Sequence, residues 1–376
     1  MRVRFRSAAA LAAVLLLAPA GCGIGDVRRT PARPSAPASA RPSLDEPWPV
    51  RTARVPVPAD YPSWTVRFTD AETGYVLFSR CYATSLGAEP GGTPPPPECP
   101  GVLLRTLDGG RHWTSLPLPR ATAANFQLFA RDDRLVLVAE PHGWYASTDR
   151  GSTFSHPSAR TDPPPAAYFM VQGRFQVCCD RDRRPPAVLE WAADRARPLA
   201  RQPDVPGLAE VAYANGRLVA TGVRDGRPYA AISPDDGRTW RSTPVPAPGG
   251  RLGRLEPQVD GGDAWLVGWP ADNRQFPTLW RLVGDAWRPE SAAGHPDLAY
   301  AVTAIGDGVL AVQGSAGAGV VVAGRYRRAA WPAVGDLTLL ADGALCVVTE
   351  AYPRTIWLGR GAGVDRRWVR LELVTE

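Results

Sequence analysis

The sequence predicts an all-β fold: a single β-propeller of seven blades, each of four antiparallel strands, preceded by a signal peptide (residues 1–21) and a disordered tether (22–49). Three observations predict it. A polar turn closed by an aromatic residue recurs along the chain. A second turn, usually centred on Gly, recurs between short β-prone runs at the same period. No helical period interrupts either series. Each series has seven members, and repeats of about 40–45 residues built only of short strands are the pattern of propeller blades, which bury their faces against one another. Without repeats, 376 residues would suggest two domains. Six or eight blades are the alternatives.

The first series is fullest in three copies: Thr106-Leu107-Asp108-Gly109-Gly110-Arg111-His112-Trp113, Ser147-Thr148-Asp149-Arg150-Gly151-Ser152-Thr153-Phe154 and Ser233-Pro234-Asp235-Asp236-Gly237-Arg238-Thr239-Trp240. The carboxylate can accept bonds from the N–H groups that follow it, as in Asx-turns. The Gly supplies a positive φ, and the aromatic plugs between neighbouring sheets. Aromatics continue the rhythm where the turn has decayed: Trp113, Phe154, Trp240, Trp287, Trp331 and Trp368 are 41, 86, 47, 44 and 37 residues apart. The doubled gap places one eroded ending near Arg197-Pro198.

These turns resemble the Asp box (BNR repeat) of sialidases, sortilin-like receptors and photosystem assembly propellers. The resemblance spans roughly residues 60–370 and implies a propeller. In those families the motif is structural and lies away from the catalytic face, so Thr106, Asp108, Gly110, Trp113, Ser147, Asp149, Gly151, Phe154, Ser233, Asp235, Gly237 and Trp240 are expected as turn-formers.

The second series comprises Gly74, Asp133, Gly173, Gly216, Gly262, Gly308 and Gly343, spaced by 59, 40, 43, 46, 46 and 35. The long first gap holds a Pro/Gly-rich insertion. Asn215-Gly216, Asp307-Gly308 and Asp342-Gly343 are favoured hairpin turns. The strands after Gly216, Gly262 and Gly308 each end in Gly six places on, at Gly222, Gly268 and Gly314. Both the stretch after Trp368 and Val50–Pro58 read as outer strands, and one of them is expected to clasp the ring.

Arg2, Arg4 and Arg6 followed by the apolar run Ala8–Ala18 form an export signal, too short to span a bilayer. Two cleavage readings compete. Ala18-Pro19-Ala20 suits ordinary signal peptidase. Ala20-Gly21-Cys22 resembles a bacterial lipobox with lipidation at Cys22, although Pro19 stands where an aliphatic residue is usual. The Pro/Ala/Ser/Arg-rich segment that follows suits a spacer between membrane and domain. The chain is therefore expected outside the cytoplasmic membrane, lipid-anchored or secreted.

Export favours disulfides. Cys81 and Cys99 bracket the first-blade insertion and are expected to bridge it. Cys178-Cys179 admits a vicinal disulfide, two buried thiols, or one thiol paired with Cys346, itself in an apolar strand. No zinc-ligand spacing exists, so neither metal nor cofactor is expected. The net charge of +6 falls to about +2 once the first fifty residues are set aside, and every basic residue is Arg; no basic stripe suggests nucleic acid.

Nothing nominates a catalytic residue. The Phe/Tyr-Arg-Ile-Pro segment usual in sialidases has only Val66-Arg67-Phe68 as its nearest counterpart. Glu72, Glu190 and Glu256 read as loop residues, and His142 as a solitary surface-loop side chain. The expectation is a non-catalytic, monomeric envelope propeller that binds a protein or glycan. One alternative is a degenerate sialidase-like or glucanase-like hydrolase, which needs two carboxylates about 5–10 Å apart beside Arg in a channel mouth. The other is an assembly factor for a membrane complex, which needs an exposed apolar or Arg-rich patch.

Overall fold

The computed structural model describes residues 49–375 except 62, 81–97, 160–161, 163, 179–184, 193–194, 261, 273–274, 330–334 and 350–354. Residues 43–376 form one compact unit. The signal peptide, Cys22, Cys81, Cys179 and Trp331 lie outside the described residues. Among those described, no helix is long and apolar enough to cross a membrane.

The strand order gives seven sheets. Strand β1 is Val50–Val55. Blade one is β2 (Ser63–Phe68), β3 (Gly74–Ser79), β4 (Cys99–Thr106) and β5 (Thr114–Leu116), with the short β6 (Thr122–Ala123) against β4. Blade two is β7 (Asn125–Arg131), β8 (Arg134–Glu140), β9 (Gly143–Ser147) and β10 (Ser155–Ser158). Blade three is helix α1 (Ala166–Gln172) with β11 (Phe175–Cys178), β12 (Ala187–Ala192) and β13 (Arg195–Pro198). Blade four is β14 (Leu208–Ala214), β15 (Arg217–Arg224), β16 (Arg227–Ser233) and β17 (Arg241–Thr243). Blade five is β18 (Leu252–Val259), β19 (Ala264–Pro270), β20 (Thr278–Val283) and β21 (Ala286–Glu290). Blade six is β22 (Ala299–Ala304), β23 (Leu310–Gly314), β24 (Gly317–Val322) and β25 (Arg325–Arg328). Blade seven is β26 (Gly335–Leu339), β27 (Leu345–Thr349), β28 (Ile356–Arg360) and β29 (Arg367–Thr375).

The second turn series marks the hairpin between the first and second strand of a blade, and the first series the turn between the third and fourth. Both turns therefore fall on one face of the ring, called here the turn face. At Asn215 and Gly216 φ is +49° and +81°, as a two-residue turn matching strand twist requires.

Period-two alternation sends each strand's side chains to both neighbouring blades. In β27, Leu345 and Val347 pack toward blade six while Cys346, with Ala344 just before the strand, packs toward blade one. Repeated around the ring, this divides the described core into seven clusters, one per blade-to-blade interface. All seven lie within the compact unit, which therefore holds every interface the ring needs.

Two expectations are corrected, and one choice left open by the sequence is decided. Blade three has three strands, because α1 stands where the other blades place their first strand, and Gly173 ends this helix rather than a hairpin. The helix fills the wider gap with rings: Tyr168 meets Phe129 and Trp144 edge-on at 5.1 and 5.0 Å, and Phe169 stacks on Trp191 at 4.7 Å. In blade six the aromatic of the outer strand is Tyr326, upstream of Trp331. Trp287, Tyr326 and Trp368 are each the second residue of their outer strand. Finally, of the two candidate clasps it is the N-terminal one that closes onto blade seven. β29 is the fourth strand of blade seven, and β1 adds to it in parallel with Val50 opposite Arg370 and Val55 opposite Thr375. Val55 and Val57 are fully buried in the blade-seven to blade-one core.

Candidate binding site in the central channel

The three Asp-containing turns share one hydrogen-bond pattern. Ser233 Oγ donates to Asp235 Oδ1 at 2.8 Å and accepts from the Gly237 amide at 2.8 Å. Asp235 Oδ1 also accepts the Thr239 amide at 2.8 Å, and Oδ2 the Thr239 hydroxyl at 2.8 Å. Ser147, Asp149, Gly151 and Thr153 repeat this at 2.7–2.9 Å. In blade one, Asp108 Oδ1 accepts from Thr106 Oγ1 and the Arg111 and His112 amides. Gly110, Gly151 and Gly237 have φ of +82°, +81° and +81°. A Cβ at each would strike a leucine of the preceding blade's outer edge: Leu371, Leu116 and Leu199 respectively. Leu116 and Leu371 stand three residues after Trp113 and Trp368, a W-x-x-L signal that the turn motif alone does not reveal.

The Thr153 amide and hydroxyl draw the Asp149 carboxyl down to about 2, and the Thr239 amide likewise lowers Asp235. At Asp108 burial works upward, but bonds from His112, Thr106 and Arg111 prevail and hold it far below the carboxylate range. A carboxyl depressed in the folded state contributes stability that is complete above its unfolded value and is lost as pH falls through its folded one. Changing Asp108, Asp149 and Asp235 together to Asn should lower the melting temperature at neutral pH, and the deficit should shrink as pH falls toward 2. A deficit constant across that range in thermal melts would exclude ionised carboxylates as the staples. These residues sit at the outer part of blades one, two and four, and the ring does not bring them together.

Nearer the axis, carboxylates on the turn face bind the next blade. Asp342 accepts the Ala71 amide at 2.9 Å, Asp260 the Gly306 amide at 3.1 Å and Asp263 the Gly308 amide at 2.7 Å. Asp260 also lines a channel cavity of about 530 Å³ whose wall includes Phe68, Arg131, Tyr213 and Asn215.

Toward the opposite face the channel holds a different set. Gln127 pairs with Val138, Glu210 with Thr221, Glu256 with Val267 and Ala301 with Gln313. Each partner stands five residues after its hairpin turn, so these four occupy one level of neighbouring first strands. Asp336, opposite Val348, is at that level in blade seven. Glu256 accepts from Arg254 at 3.1 Å, Gln258 at 2.9 Å and Trp269 Nε1 at 3.0 Å. Glu210 is pushed up by burial first and by Glu256 second, against the pull of Arg254. Tyr300, at the bulge that opens β22, is 62 % exposed. Glu256 and Glu190 thus lie in strands rather than in loops. Alternation hid Glu256, because a first strand borders the channel and tolerates polar residues that read as loop.

His142 is not solitary either. Its Nε2 lies 2.9 Å from Glu98, which also accepts the Thr122 hydroxyl at 2.7 Å. Cys99 opens β4 and Cys178 ends β11, but Cys81 and Cys179 fall outside the described residues. Cys346 is buried in β27, 4 % exposed. Among the described residues no group of three His, Cys, Asp or Glu could hold a metal.

No family model matches the chain, and none of the curated proteins does. Solved propellers do. The chain is 14 % identical to YCF48 bound to a D1 peptide, over 84 % of this chain and 87 % of that one, with a TM-score of 0.29. It is 11 % identical to TolB from Acinetobacter baumannii, over 79 % and 83 %, at 0.37. It is 17 % identical to the GH74 xyloglucanase from Xanthomonas campestris, over 80 % of this chain and 45 % of that one, at 0.27. At these identities the likeness is one of fold alone.

Proposed function

We propose that this chain is a non-catalytic propeller of the Asp-box type, exported and lipid-anchored through Cys22. On this reading it binds a protein of the cell envelope at the channel mouth formed by Glu210, Glu256 and Tyr300, and a Cys81–Cys99 bridge secures the first-blade insertion. The observation that carries it is Tyr300: among the described residues the one aromatic of the strongly exposed large apolar side chains, in the first strand of the blade next to the Glu256 level. Tyrosine beside polar groups is a favoured anchor for protein contacts. The sequence has no Lys, so amine-reactive cross-linkers would be nearly blind to it. A photoreactive phenylalanine analogue in place of Tyr300 should instead yield one dominant protein adduct in the native membrane fraction. The same analogue at the exposed outer-strand residue Ala196 should not. Identical adducts from both positions would sink the reading.

A second reading, a glycoside hydrolase, is favoured by one observation: Glu210 and Glu256 share a level in adjacent blades, Glu210 pushed toward its neutral form by burial and by Glu256, with Arg254 beside Glu256. A carboxyl raised beside a second carboxyl suits the role of general acid. The hydrolase reading expects turnover of a sialoside or β-glucan that Glu256→Gln abolishes. Turnover unchanged in Glu256→Gln, or none by the parent, rejects it.

A further inference from the structure

We propose that the turn face at the junction of blades seven and one rests on an anionic lipid surface. Six large apolar residues are strongly exposed among those described. Two of them flank this junction, Leu107 in the turn closing blade one (49 %) and Val50 at the start of β1 (49 %); Val364 (47 %) is on the same face in the turn closing blade seven, which packs against blade six. Val283, 49 % exposed, ends β20 on the same face in blade five.

The apolar tips stand among arginines. Arg51 donates to the Gly109 carbonyl within the blade-one turn, and Arg111 is exposed in that turn. Arg360 reaches the Ala71 carbonyl at 3.3 Å. Besides burial, Arg111 and Arg360 press the Arg51 pKa downward, so the three cations share one locality. Arg325 and Arg367, each the first residue of an outer strand, are exposed on the same face. Of the acids nearest Leu107 and Arg51, Asp108 is engaged by its turn and Glu72 by Arg360 at 2.5 Å, while Asp365 is exposed beside Val364. Isolated apolar tips within a field of Arg match the chemistry of the headgroup boundary, where methyl groups enter and guanidinium groups meet phosphate.

The path of the chain agrees. β1 runs parallel to β29, so it starts at the turn face of this junction. A chain anchored at Cys22 would be drawn down on this side. That orientation rests on the anchored reading above, whereas the lipid contact does not.

The test uses residues 43–376, the compact unit, which lacks both signal and Cys22, in flotation with two vesicles. One is pure phosphatidylcholine and the other carries about a third phosphatidylglycerol. Binding is expected to the second alone and should weaken with salt. Arg111→Ser should weaken it about fivefold. Leu107→Ser with Val364→Ser should weaken it at least as much, and Val374→Ser, near the end of β29 on the other face and 45 % exposed, should leave it unchanged. Melting temperatures should match the parent in every variant. No binding, equal binding to both vesicles, or junction variants that bind like the parent would overturn the proposal. Failure here with the Tyr300-position adduct intact would remove the lipid contact and leave the protein-binding reading standing. Loss of that adduct with vesicle binding intact would do the reverse.

Discussion

A chain beginning at Tyr61 instead of Ser43 will melt about 7 °C lower, the equivalent of about 5 kcal/mol for a domain of this size. The loss has two sources. Val55 and Val57 are fully buried in the blade-seven to blade-one core, and each such side chain is worth about 2 kcal/mol. The ladder of β1 on β29, six paired positions, supplies the rest and leaves a bare strand edge when removed. Val55→Asp keeps the chain length and should cost a similar amount by burying an unpaired charge. Calorimetry of both would decide the matter; a truncated chain that melts with the parent would show that β1 does not close the ring.

Arg366→Met will cost about 3 kcal/mol and roughly 4 °C. Blade seven lacks the Asp-containing turn, and Arg366 does its work with the opposite polarity. It is 2 % exposed, and its guanidinium donates to four carbonyls: Ile305 at 2.6 Å, Gly343 at 2.8 Å, Gly359 at 3.1 Å and Gly363 at 3.2 Å. Ile305 belongs to blade six, so the side chain also ties two blades. Burial presses its pKa down, countered by Asp307 and Asp342. Methionine fills the volume and strands the carbonyls. Arg366→Lys should fall between, since an ammonium offers three donors and no planar fork. Denaturant melts in which the Met variant equals the parent would mean that these carbonyls need no donor.

The repeats were legible because two kinds of turn chemistry mark them independently. Positive φ at Gly216, Gly237 and Gly308 is a backbone demand that few residues other than Gly meet, so the turns survive where the strands diverge. Helix α1 was not legible. Seven residues after Pro163, Pro164 and Pro165 are too few to show a helical period, and its aromatics read equally well as a strand. Tyr326 was hidden by Trp331, five residues on, because an aromatic series without register cannot choose between them. The candidate site was the least legible part. Glu210 and Glu256 carry no motif; what relates them is an equivalent position in adjacent blades, which pairing reveals and composition does not.

The parallel union of β1 with β29 also bears on when this protein can fold. Its partners are separated by roughly 320 residues of sequence, the costliest kind of contact to form early. Each interface between blades two to seven can form as its strands appear, but the seam between seven and one must wait for the C-terminal strand. During synthesis or translocation, Val55 and Val57 would have no complete groove to enter until that strand arrives. The molecule would therefore pass through an unsealed horseshoe whose two open flanks are the apolar faces of blades one and seven. Its vulnerable interval is that wait, and a chaperone that guards one seam would be enough to protect it.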